Sequence, residues 1–218
     1  GLTDKAYNLL LQRRCPSWLY SVDQGATTTW ERWDSYRIDK GFGDYSMNSF
    51  NHYAYGAVGE WMYRFMAGID ADEEKPGFEN IVLRPTPDTR EKLPEGQEKI
   101  TRASAVYESV RGRIASKWEN GDQFTYEAEI PANTTATLYM PLSKPDDEIF
   151  ENGIPVENAE GVEVIGRNDT HAILHVASGK YSFSLKEGAG IDSVVSGNAD
   201  VKVYPNPVHD TLHIASDC

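Results

Sequence analysis

Cysteine is almost missing from this chain of 218 residues, which holds only Cys15 and the terminal Cys218. Two thiols so far apart supply neither a disulfide framework nor the close spacing of a metal site, so both read as incidental and no metal is expected. Long apolar runs are missing as well. No stretch reaches the roughly 18 residues needed to span a bilayer, and no signal peptide precedes Gly1, so export would need a signal outside this sequence. Positive charge is short, with 21 Lys and Arg against 34 Asp and Glu and a formal net charge of −13. With no basic stripe to offset that charge, a phosphate backbone is repelled, which argues against a nucleic-acid partner and suits a neutral ligand.

Val, Ile and Thr are sparse in the first seventy or so residues, which instead carry Trp18, Trp30, Trp33 and Trp61 and seven tyrosines. From Phe78 to Leu185 the chain changes to short β-branched and aromatic runs broken by Gly, Pro, Asn and Asp. Such a shift marks a domain boundary.

In the first part, Thr3 or Asp4 caps a helix that carries Tyr7, Leu10 and Leu11 and stops before Pro16. A second helix is predicted from about Ser49 to Ala67, capped by Asn48 or Ser49. Its Phe50, Ala54, Ala57, Val58, Trp61, Phe65 and Ile69 recur at helical spacing, and only Glu60 and Arg64 are charged, so burial nearly all round is expected. Two such helices need a further layer to cover them, which makes this part a piece of something larger. Between them, Cys15 to Met47 reads as a long irregular and therefore functional segment.

Asp70 to Gly77 reads as an acidic linker. Strand-like runs follow at Phe78 to Arg84, Ile100 to Val110, Gly112 to Glu119, Gln123 to Ile130, Thr135 to Met140, Val162 to Ile165, His171 to Val176 and Tyr181 to Leu185. Asn120-Gly121 and Asn152-Gly153 are hairpin turn signals. Regular short strands without helical periodicity predict an antiparallel β-sandwich. From Lys186 the composition suits a flexible tether.

The chemistry concentrates at Gln24-Gly25-Ala26-Thr27-Thr28-Thr29-Trp30-Glu31-Arg32-Trp33-Asp34. A carboxylate flanked by indoles and hydroxyls fits sugar chemistry, because aromatic faces stack on pyranose rings and carboxylates accept hydroxyl hydrogens or transfer protons. Glycosidases set two carboxyl groups across the scissile bond, and Glu31 is a candidate for one. The competing reading of Glu31 is a dipole or capping partner near a helix start, ion-paired with Arg32. A second cluster, Asn48-Ser49-Phe50-Asn51-His52-Tyr53-Ala54-Tyr55-Gly56, offers amide, imidazole and phenol groups at the expected helix start, where free N–H groups favour polar ligands; the alternative for His52 is a satisfied core histidine.

These two segments, Gly25-Ala26-Thr27-Thr28-Thr29-Trp30-Glu31-Arg32-Trp33 and Asn51-His52-Tyr53-Ala54-Tyr55-Gly56-Ala57-Val58, resemble the end of the (α/α)6 catalytic barrel of bacterial α-L-rhamnosidases, glycoside hydrolase family 78. Pro76-Gly77-Phe78, Leu83-Arg84-Pro85, Gly112-Arg113-Ile114-Ala115-Ser116 and Ile130-Pro131-Ala132-Asn133-Thr134-Thr135-Ala136 resemble the β-sandwich that follows that barrel. The fold implied is mixed and mainly β: the last barrel helices in residues 1–72, then an antiparallel sandwich in 73–187. The resemblance implies that Glu31 is the general base of an inverting hydrolysis and that His52 contacts rhamnose, with Trp30 and Trp33 lining the pocket. It implies a rhamnose-containing glycan or glycoside as partner, no cofactor, and a general acid on barrel helices that precede this sequence. Residues 1–218 are then expected to be inactive alone and to act with the rest of the barrel. Finally, Val203-Tyr204-Pro205-Asn206-Pro207 with Leu212-His213-Ile214 resembles the start of the Bacteroidetes type IX sorting domain, which implies a secreted or cell-surface protein and assigns 188–218 to a linker and sorting segment. The rival to the enzymatic reading is a non-catalytic carbohydrate-binding or structural β-sandwich module.

Overall fold

The computed structural model describes residues 2–46 and 49–185. The candidate cap Asn48, the tether after Leu185 and the sorting-like motif lie outside them. The described chain forms two compact units. One comprises residues up to Trp61 together with Asp88–Ile100, and the other comprises Met62–Pro87 and the chain from Thr101.

The first unit opens with α1 (Thr3–Leu10), shorter than the periodicity suggests and begun at Leu2 without a side-chain cap. A second helix, α2 (Trp18–Asp23), interrupts the segment expected to be irregular; the Ser17 hydroxyl accepts the Tyr20 N–H and caps it. Two short strands, β1 (Tyr36–Arg37) and β2 (Gly41–Phe42), form a small hairpin. The expected long helix from Ser49 does not form as such. Only from Ala54 does the chain coil, as a 3-10 turn over Ala54–Ala57, one α turn α3 (Val58–Trp61) and a π-helical stretch over Met62–Ala67. The reason is hydrogen bonding: the Ser49 carbonyl and the His52 N–H are taken by Glu31 and Thr29, which removes them from helical i→i−4 bonding. Nor is this stretch buried all round, because Ala54, Ala57 and Phe65 are exposed, as are Leu9, Val22, Ile38 and Tyr53 elsewhere in the chain. A few short helices cannot cover one another's apolar faces.

Residues Asp88–Ile100 belong to this first unit, to which Arg90 and Gln97 tie them through Asn8; within the segment Arg90 and Asp88 bury a bidentate ion pair, side chains 1% and 0% exposed, closed at 2.8 Å. The remaining guanidinium hydrogens go to Asn8 Oδ1, Gln97 Oε1 and the Glu98 carbonyl, so the pair has no unmet donor. Gln97 in turn donates to the Asn8 carbonyl on α1.

The second unit is the sandwich. Its strands are β3 (Ile69–Ala71), β4 (Asn80–Leu83), β5 (Arg102–Ser109), β6 (Gly112–Asn120), β7 (Phe124–Ile130), β8 (Thr135–Pro141), β9 (Phe150–Glu151), β10 (Ile154–Pro155), β11 (Val162–Arg167), β12 (His171–Val176) and β13 (Gly179–Ser184). One sheet has the order β10-β9-β13-β7-β6-β5 and the other β11-β12-β8-β4-β3. Pairing is antiparallel except between β4 and β8, which run parallel. Strand β3 falls partly in the stretch read as a linker, where it pairs with β4.

Alternation builds the core: Ile114, Ser116 and Trp118 of β6 point inward, as do Phe124, Tyr126, Ala128 and Ile130 of β7, Ala136, Leu138 and Met140 of β8, and Ala172, Leu174 and Val176 of β12. Trp118 is fully buried, and its indole N–H donates to the Met66 carbonyl at 2.7 Å. Asn152 and Gly153, at φ 48° and 81°, make the expected two-residue turn between β9 and β10. The Asn120-Gly121 signal produces a hairpin of another kind: Asn120 pairs with Phe124, three residues form the loop, and neither signal residue has positive φ.

Candidate functional site

Two stretches of the first unit lie side by side. The Glu31 N–H donates to the Ser49 carbonyl at 2.8 Å, and the His52 N–H donates to the Thr29 carbonyl at 2.8 Å. The Thr28 hydroxyl donates to the Phe50 carbonyl, and Trp30 packs edge-on against Phe50 with ring centroids 5.5 Å apart. Glu31 and His52, 21 positions apart in sequence, are thus carried on adjacent, hydrogen-bonded segments.

The Glu31 carboxylate has one anchor. Its Oε2 accepts the Ser49 N–H at 2.7 Å, a charge-assisted bond that fixes the side chain. Among the described residues Oε1 has no donor and no cation pairs with this carboxylate. Arg32, the expected ion-pair neighbour, faces Asp44 at 4.0 Å instead. No helix begins at Glu31, so the capping alternative has no helix to act on. The Asp44 carboxyl is held below its ordinary range by the Ser46 N–H and hydroxyl, with Arg32 adding to the effect. One oxygen tied and the other without a donor among the described residues is an arrangement suited to taking a proton.

His52 is partly exposed rather than a core histidine. Its ring lies parallel to Tyr53 at 5.3 Å, and its Nδ1 accepts the Ala54 N–H at 3.3 Å, which leaves Nε2 without a hydrogen bond among the described residues. The two indoles turn to protein partners. Trp30 is 6% exposed and sits against Phe50, while Trp33 stacks on Tyr55 at 3.8 Å and meets the edge of Trp18. Sequence reasoning gave no role to Trp18, took Ser49 only as a helix cap and Tyr55 only as one of a polar cluster; the three hold the two stretches together. The signal for Trp18 was available: Ser17 followed by Trp18, Leu19 and Val22 is a cap before a short amphipathic turn.

Comparison with known proteins gives the arrangement a context. Residues 1–66 match the model of the bacterial α-L-rhamnosidase six-hairpin glycosidase domain, and residues 68–154 match that of the bacterial α-L-rhamnosidase C-terminal domain. The chain corresponds, in sequence and in fold, to the carboxy-terminal region of bacterial α-L-rhamnosidases. An α-L-rhamnosidase of Streptomyces avermitilis is 40% identical over 186 residues, and one of Formosa agariphila is 39% identical over 193. Each alignment takes in 85% of this chain but only 16% and 19% of the relative, so the chain spans less than a fifth of the rhamnosidases it matches. The crystal structure of the Streptomyces avermitilis enzyme complexed with L-rhamnose superposes with a TM-score of 0.70 at 39% identity, over 85% of this chain and 16% of that one. The α-L-rhamnosidase structure from Dictyoglumus thermophilum superposes at 0.67 with 27% identity, over 84% and 19%. The rhamnosidase C-terminal domain model ends before β11, β12 and β13, yet β13 lies between β9 and β7 and β12 lies beside β8. Residues 155–185 therefore complete the same sandwich.

Proposed function

We propose that this chain supplies the general base, Glu31, and a sugar contact, His52, to a glycoside hydrolase that cleaves terminal α-L-rhamnosides with inversion. The observation that carries the reading is the divided carboxylate: Oε2 is fixed by the Ser49 N–H while Oε1 is free of donors among the described residues. In an inverting hydrolysis, a water on the face opposite the leaving group attacks the anomeric carbon and loses a proton to the base, while a carboxylic acid protonates the departing oxygen. Oε1 takes that proton. His52 Nε2, left without a partner among the described residues while Nδ1 is engaged with Ala54, hydrogen-bonds a sugar hydroxyl. The acid comes from another part of the full-length protein, in keeping with the small share of the relatives that this chain spans.

The test is Glu31→Gln in the full-length enzyme. The amide oxygen of Gln still accepts the Ser49 N–H, so the loop is preserved while the base is lost. The expected result is a fall in kcat on an aryl α-L-rhamnoside of about 10² or more. A much smaller loss rejects the role. An unaltered rate accompanied by rhamnose binding to residues 76–187 alone would favour a carbohydrate-binding module instead.

A further inference from the structure

The hydrogen bonds from Thr28 to Glu31 join the two loops at one end, and a different device joins them at the other. Trp18 touches both. Its indole meets Trp33 edge-on, centroids 5.4 Å apart at 87°, two residues beyond Glu31. Its Nε1–H donates to the Tyr55 carbonyl at 2.9 Å, three residues beyond His52. Trp33 lies flat on Tyr55 at 3.8 Å, 16° from parallel, so the three rings form one block. One turn further along α2, the Ser21 hydroxyl donates to the Trp33 carbonyl at 2.8 Å. Trp18 and Ser21, spaced i and i+3, share a face of the helix that Ser17 caps.

We propose that Trp18 is a positioning residue: through its ring on Trp33 and its N–H on the Tyr55 carbonyl it sets the separation between the Glu31 carboxylate and the His52 imidazole. The inference rests on the general-base reading of Glu31. The hydrogen bond is the informative part, because stacking alone permits sliding whereas a donor aimed at one carbonyl fixes the register of the Tyr55 segment. Without it the block keeps its apolar contacts but loses its only directional tie among the described residues between α2 and the His52 loop. A displacement of about 1 Å at a reacting group costs up to about 10²-fold in rate, so a partial shift is expected to cost about 10-fold.

The experiment compares Trp18→Phe with the wild type and with Glu31→Gln, all in the full-length enzyme with p-nitrophenyl α-L-rhamnoside, with and without sodium azide. Phe keeps a ring against Trp33 and deletes the donor. Azide attacks carbon without needing a proton removed, so it replaces the base-activated water: a C–N bond forms as the bond to p-nitrophenolate breaks. The expected result for Trp18→Phe is a kcat about 10-fold lower, a KM changed by less than kcat, and partial recovery by azide with a β-configured rhamnosyl azide product, as in Glu31→Gln. An unchanged kcat, or a loss that azide does not relieve, overturns the positioning role and leaves Trp18 as scaffold. A Glu31→Gln enzyme with full kcat overturns the general-base reading instead. If Trp18→Phe does not fold, Trp18→Tyr, which also keeps a ring against Trp33 and lacks the indole N–H, takes its place; the same azide-relieved loss is expected, and an unchanged kcat overturns the proposal.

Discussion

Ser116 offers a quantitative test of what holds the sandwich together. Its hydroxyl, on the inward face of β6, donates to the Ala67 carbonyl at 2.6 Å and lies 3.0 Å from the Tyr126 hydroxyl. Ser116 is 1% and Tyr126 0% exposed, so water does not replace either bond. Burial pushes the Tyr126 phenol well above its ordinary range, and its O–H, cut off from water, needs a protein partner. Replacing Ser116 by Ala leaves a buried carbonyl and a buried phenol without that partner, at about 1–3 kcal/mol for each orphaned group. The expected loss is about 2–6 kcal/mol, a large fraction of the total for a domain of this size. Tyr126→Phe removes one hydroxyl while Ser116 keeps its bond to Ala67, so it should cost only about 1 kcal/mol. The double variant Ser116→Ala/Tyr126→Phe should cost less than the sum of the two by about 1 kcal/mol, because the phenol can be orphaned only once. The assay is urea unfolding read from the indole N–H resonance of Trp118, the one tryptophan of this unit. Equal costs for the two single variants, or strict additivity, would refute the reasoning.

Two further outcomes follow from the same physics. At Gly68, φ is 80° and an added Cβ would sit 2.2 Å from the Arg84 carbonyl carbon and the Pro85 nitrogen, so Gly68→Ala should prevent β3 from pairing with β4 and show as lost amide protection at Ile69–Ala71. For Asp88, burial raises the carboxyl pKa, but the Arg90 guanidinium and the N–H groups of Ile100 and Arg90 outweigh it and hold the carboxyl below the ordinary range. A depressed folded value means that its stabilisation is complete above about pH 4, where unfolded Asp is ionised, and is lost as pH falls through the folded value. Acid unfolding of the first unit should therefore steepen below about pH 4. Asp88→Asn should flatten that dependence while costing about 3–5 kcal/mol at neutral pH, by leaving Arg90 buried and unpaired; an unchanged acid transition in that variant would exclude Asp88 as its source.

The sandwich was legible in the sequence because its strands carry their own pattern. Ile114, Ser116 and Trp118, or Ala136, Leu138 and Met140, alternate with outward residues whatever their partners turn out to be. The parallel pairing of β4 with β8 was not legible, since alternation does not reveal which strand lies alongside. The Asn152-Gly153 turn was legible for a local reason, both residues tolerating left-handed angles.

The amino-terminal unit divides the other way. Sequence singled out Glu31 and His52 by residue type and by family resemblance, but it placed His52 on a helix. Helical periodicity over Ser49–Ala57 was outweighed by hydrogen bonds to Thr29 and Glu31, which are distant in sequence and invisible to any local window. The bidentate burial of Asp88 with Arg90, contributed by a stretch that sequence assigned to the sandwich, is likewise a tertiary fact. By itself the sequence determined which groups could do chemistry and which runs could be strands, because those depend on side-chain type and period. The tertiary structure alone decided which oxygen of Glu31 is tied and which has no donor among the described residues, because that depends on where the Ser49 amide comes to rest.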